Sequence, residues 1–112
     1  MHIIIKEENS FMPDTTIRIY ENRIEYEENN KSKLLEYNME EIRDIMDMFF
    51  DISKDWKDRY VDKGIIDDDI FEISIISNKT KTYYIKNKYP QNWGRFILFR
   101  NKLIREELKI IK

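Results

Sequence analysis

Apolar residues recur along this chain at two spacings, alternate positions and helical ones, and these divide it into strand-like and helix-like segments. Ile3-Ile4-Ile5 reads as a short first strand. Met12-Pro13-Asp14 breaks the pattern, since proline cannot donate to a β-ladder. Two further runs follow, 15–20 and 23–27, in which Ile17 and Ile19 share one face and Ile24 and Tyr26 share one face. Glu21-Asn22 between them predicts a β-hairpin, because asparagine tolerates the left-handed backbone that two-residue connections need. Asn29-Asn30-Lys31 predicts another turn, and Leu34, Leu35 and Tyr37 a further strand.

The spacing then changes to that of a helix. Asn38 with Glu41 three residues on has the form of a capping box. From there Ile42, Ile45, Met46, Phe49, Ile52 and Trp56 recur on one face, with Met48 and Phe50 at its edges. The opposite face carries Glu40, Arg43, Asp44, Asp47, Asp51, Lys54 and Asp55, so this helix is amphipathic with an acidic outer side. Residues 57–69 read as a charged connector. Residues 70–76 alternate again, setting Phe71, Ile73 and Ile75 on one face. Asn78-Lys79 turns the chain, and 80–86 returns as the partner strand. Tyr89-Pro90-Gln91-Asn92 introduces a last helix, with proline in its first turn or Asn92 as its cap. Trp93, Phe96, Ile97, Leu103, Ile104, Leu108 and Ile111 form its apolar stripe and predict that it runs to the C-terminus.

Short connections imply antiparallel pairing. The expected fold class is therefore α+β: one domain over residues 1–112, in the order ββββαββα, with an antiparallel sheet of about five to six strands and two helices packed on one face.

Composition narrows the chemistry. The chain has no cysteine, which removes disulfides, thiolate metal sites and thiol nucleophiles. His2 is its single histidine and sits beside the first methionine, a poor position for acid–base work. Gly64 and Gly94 are its two glycines, too far apart for a phosphate-cradling loop. Asp67-Asp68-Asp69 is the densest acidic run and reads as a solvated loop, without the spacing of a calcium loop. The expectation is a protein that is not an enzyme and uses no cofactor. No apolar run reaches membrane length, so the reading is cytoplasmic.

Charge adds an asymmetry that the net value of −2 hides. Residues 36–72 hold 13 acids against 5 bases, whereas residues 79–112 hold 2 acids against 10 bases. The two blocks either pair across the fold or give the surface an acidic and a basic side. In the last helix Arg100 falls within the apolar stripe, between Phe96, Ile97, Leu103 and Ile104, with Glu107 in the same sector. A buried arginine needs an acidic partner. Arg100 therefore either has one, marks a protein interface, or snorkels at the stripe's edge.

The segment 55–62, Asp-Trp-Lys-Asp-Arg-Tyr-Val-Asp, followed by a hairpin and then by Lys88-Tyr89-Pro90-Gln91-Asn92-Trp93, resembles small uncharacterised bacterial α+β proteins over roughly residues 55–105. The likeness implies a strand ending in tyrosines, a Tyr-Pro turn and a closing helix, and names no activity. In its size, acidity and heavy use of residues with AT-rich codons, the chain is also similar in style to toxin-immunity proteins and phage inhibitors.

These readings converge on a non-catalytic protein-binding module, most concretely an immunity-type or phage-type inhibitor. Glu40, Asp44, Asp47, Asp51, Asp67, Asp68 and Asp69 would meet the basic surface of a protein partner, with Arg100 a further interface residue. Two other readings stand beside it. One is a nucleic-acid-associated protein using the basic C-terminal segment, where Tyr83, Tyr84, Tyr89 and Trp93 interleave with lysines and arginines. The other is an accessory subunit or homodimer formed through the last helix.

Overall fold

The computed structural model describes residues 1–64 and 69–109. Alternating apolar positions build the strands β1 (His2–Asn9), β2 (Thr15–Ile19), β3 (Ile24–Glu28) and β4 (Lys31–Leu35). The helix α1 (Met39–Ser53) follows, then β5 (Arg59–Val61), β6 (Asp69–Ile76), β7 (Thr80–Lys86) and the helix α2 (Trp93–Ile104). The strands form one mixed seven-stranded sheet in the order β4-β3-β2-β1-β6-β7-β5. All pairs are antiparallel except β5 with β7. The expected α+β class holds, with one strand more than the pattern predicted. That strand is β5, which lies inside the stretch read as a connector and is too short for alternation to register.

Cross-strand rows decide which face is covered. One row runs Leu35, Ile24, Ile19, Ile3 and Ile75; the next contains Ile17, Ile5, Ile73 and Tyr83. These residues join a single core with Ile42, Ile45, Phe49 and Ile52 of α1 and Phe96, Phe99 and Leu103 of α2. Both helices thus close the same face. Phe49 meets Phe96 and Phe99 with ring centroids 6.3 and 6.4 Å apart, and Trp56 meets Phe96 at 5.6 Å. The opposite face stays open and carries polar cross-strand contacts, such as Ser74 with Thr82 at 3.2 Å and Arg18 with Glu27 at 3.0 Å.

Local signals explain most boundaries. The Asn38 side chain accepts from the Glu41 amide at 2.8 Å, and the Asn38 amide donates back to the Glu41 carboxylate at 2.9 Å, so the capping box starts α1 where the sequence placed it. Three details differ. The left-handed turn residues are Asn29 and Asn30, at φ 50 and 64°, rather than Asn22; they supply the tight β3–β4 turn. Asn92 precedes α2 in the left-handed region at φ 64°, and its side chain does not cap the helix.

The third difference is that α2 stops at Ile104 instead of running on. Glu106 turns left-handed at φ 58°, its amide donates to Leu103 O, and the Glu107 amide reaches back to Lys102 O, which together make a Schellman stop. The Tyr37 hydroxyl donates to Leu103 O at 3.0 Å, tying that end to the segment after β4. Ile111, expected in the stripe, lies outside the described residues.

Replacing Asn38 with alanine removes the side-chain half of the capping box and leaves the amide that donates to Glu41. The expected cost is about 1 kcal/mol, seen in calorimetry as a melting temperature lower by roughly 4–8 °C, with Asn38→Ser recovering most of it. An unchanged melting temperature for the alanine variant would show that the Asn38 side chain contributes nothing to the stability of α1.

Candidate protein-binding surface

Spacings of four, three and four residues along a helix keep side chains on one side of it. They bring Glu40, Asp44, Asp47 and Asp51 together as an exposed acidic crest on α1, opposite its buried stripe. Like charges at these spacings disfavour a helix by a few tenths of a kcal/mol per pair. Asp51 also sits near the helix C-terminus, where the dipole favours cations, and the last turn has no basic residue. Arg95 of α2 offsets part of this by donating to Asp51 at 3.0 Å, and that hydrogen bond and charge hold the Asp51 carboxyl below its ordinary range.

Two depressions flank the crest. On one side, a pocket of about 410 Å³ lies between α1 and the β2–β3 turn, lined by Met1, Met39, Ile42, Met46 and Phe50 together with Glu21, Arg43 and Asp47. Met39 is 61% exposed. On the other side, a groove of about 560 Å³ separates α1 from α2, with Met48, Leu98, Phe99 and Leu108 among its walls.

The remaining residues of the expected acidic surface are Asp67, Asp68 and Asp69. Asp67 and Asp68 lie outside the described residues. Asp69 is the first residue of β6 and is half-buried. It accepts from the Tyr89 hydroxyl at 2.7 Å and from the Asn9 side chain at 3.4 Å, and not from any group of α1. Burial first, and then Asp69, push the Tyr89 phenol up to about 12.

Arg100 has a carboxylate partner, and it is Glu7 of β1 rather than Glu107. The contact is 2.7 Å, with the two side chains 18 and 16% exposed. Burial raises the Glu7 carboxyl above its ordinary value, Arg100 opposes that rise, and Asp69 adds to it. Arg100 also lies over the Phe71 ring at 6.0 Å. Its guanidinium is therefore engaged inside the fold. The sequence did carry the signal for Glu7: alternation from Ile3 through Ile5, continued two residues, turns a carboxylate toward the helices.

Among the described residues, the basic C-terminal block is distributed rather than gathered. Arg95 and Arg100 are paired with acids, Lys79 lies in the β6–β7 turn, and Lys81 sits over Tyr83. Of the aromatics interleaved with it, Tyr83 is 4% exposed in the core, and Trp93 stacks between Tyr89 and Phe96. His2 packs edge-on against Tyr20, with ring centroids 4.8 Å apart. Among the described residues, no group of three or more histidine or acidic side chains is placed to hold a metal ion. No helix among them is long and apolar enough to cross a membrane.

No family model, curated protein or solved structure matches the chain.

The Glu7–Arg100 pair yields a two-part prediction. Arg100→Met leaves a buried carboxylate uncompensated and is expected to cost about 3 kcal/mol in urea unfolding, whereas the joint change of Glu7 to Leu and Arg100 to Met is close to neutral. Folded Glu7 holds its proton more tightly than the unfolded chain does. Its ionisation therefore subtracts stability as pH rises past 4.5, and the subtraction is absent below that value. Without the guanidinium the Glu7 carboxyl should titrate still later in a carbon-13 NMR titration; an earlier midpoint in Arg100→Met would contradict this assignment.

Proposed function

We propose that this chain is a non-catalytic protein-binding module that meets a basic surface on a partner protein, in the manner of an immunity-type or phage-type inhibitor. The observation that carries the reading is the crest of Glu40, Asp44, Asp47 and Asp51. It is exposed along one side of α1 at spacings that work against the helix itself. Like charges that work against the helix between Asp44, Asp47 and Asp51 without serving the core support an interaction surface.

The pocket beside the crest supports the same reading. Met1, Met39 and Met46 give it a polarisable, adaptable lining suited to an apolar anchor or the aliphatic stem of a lysine or arginine. Asp47 at its wall would meet the cationic end of such a side chain, while Glu21 there accepts from the N-terminal ammonium of Met1 at 2.8 Å. Complementary charge speeds encounter and fixes orientation, while the apolar anchor supplies residence time. The nucleic-acid reading has less support, because Tyr83 and Trp93 are packed among core residues instead of forming a stacking platform.

Affinity capture from the source cell with the wild-type chain and with the combined change Asp44→Lys, Asp47→Lys, Asp51→Lys tests the proposal. The wild type should retain a protein partner that is released in about 0.5 M salt, where the screening length falls to about 4 Å. The reversed variant, folded by circular dichroism, should lose it. A partner retained equally by both chains would refute the acidic crest as the binding surface.

A further inference from the structure

The groove between α1 and α2 differs from the crest in one respect: its two rims have opposite charge. Asp44 and Asp51 line the α1 side, while Arg95 and Lys102 line the α2 side. The walls between them are apolar, and two of their side chains reach solvent, Met48 at 39% and Leu98 at 55% exposed. An acidic partner would meet a like-charged rim on α1, and a basic partner would meet one on α2. The occupant that fits must carry both signs at the same separation, either side of an apolar ridge.

We infer that the occupant is a second copy of this chain, docked about a twofold axis through the groove. A twofold interface uses the same patch on both molecules, so the patch must complement itself. Rotation by half a turn lays the acidic rim of one copy over the basic rim of the other, and Leu98 of each copy enters the other's groove. Asp51 and Arg95 already meet at 3.0 Å within one chain, so Asp44 and Lys102 are the rim charges that a second copy would engage first. The two edges of the sheet, β4 and β5, are other surfaces a copy could use, but Lys31 and Lys33 place like charges on β4 and β5 is three residues long. This inference shares Asp44 and Asp51 with the crest but does not rest on the partner reading above, since it is measured with the chain alone.

Sedimentation velocity over a range of concentrations tests it. The wild-type chain should pass from monomer to dimer as concentration rises, and Leu98→Glu should stay monomeric with an unchanged circular dichroism spectrum. Reversing the acidic rim (Asp44→Lys with Asp51→Lys) or the basic rim (Arg95→Glu with Lys102→Glu) should each weaken self-association about tenfold or more. Mixed together, the two reversed chains should form a one-to-one heterodimer, because one groove is then basic on both rims apart from Asp47 and the other is wholly acidic. A wild type that stays monomeric at every concentration overturns the inference. So does a dimer that survives Leu98→Glu, or a mixture of the reversed chains that stays apart.

Discussion

The inward side of β1 is the constraint on which the rest of the molecule depends. This strand pairs with β2 on one side and β6 on the other, so its register fixes both halves of the sheet. Ile3 and Ile5 face the helices and are 0 and 2% exposed. A slip of one residue would turn Lys6 and Glu8 inward in place of Ile5 and Glu7, because side chains in a strand alternate with a period of two. Burying two isoleucines fixes that choice. Glu7 follows as a consequence, and Arg100 is the group on α2 that makes its burial tolerable.

The sequence was most informative where a rule acts over a few neighbouring residues. The α1 capping box, its stripe from Ile42 to Ile52, and the β6–β7 hairpin are local patterns, and each appears where its residues placed it. What escaped were features decided by distant partners. The strand β5 exists because β7 offers it an edge, and three residues of its own carry no period. Phe99 was left out of the α2 stripe, yet it is 4% exposed because α1 lies against it. The stop after Ile104 uses a glutamate in a conformation more usual for glycine. The Glu106 side chain accepts from the Glu36 amide at 2.6 Å, a long-range contact that no spacing near Glu106 announces.

The candidate surface divides in the same way. The acidic crest was legible because it lies on one helix. Asp69, adjacent in sequence to the other acids, was grouped with them by proximity, but the sheet draws it into hydrogen bonds with Tyr89 and Asn9. The two depressions beside the crest were not legible at all, since each is formed between elements far apart in the chain. Charge blocks in the sequence thus gave the sign of the surface, while its relief came from the packing of α1 against its neighbours.

The eight-residue ladder between β1 and β6 joins residues 2–9 to residues 69–76. During synthesis the first of these segments leaves the ribosome long before the second exists. Until then β1 has a bare edge on the side away from β2, and Ile3 and Ile5 lack their cross-strand partners Ile75 and Ile73. Closing so long a loop is slow compared with forming the local hairpins, and an unpaired apolar edge is the kind of surface on which chains aggregate. The placement of the first strand at the middle of the sheet therefore leaves that edge exposed for the whole span from Asn9 to Asp69, and makes the arrival of β6 the event that ends it.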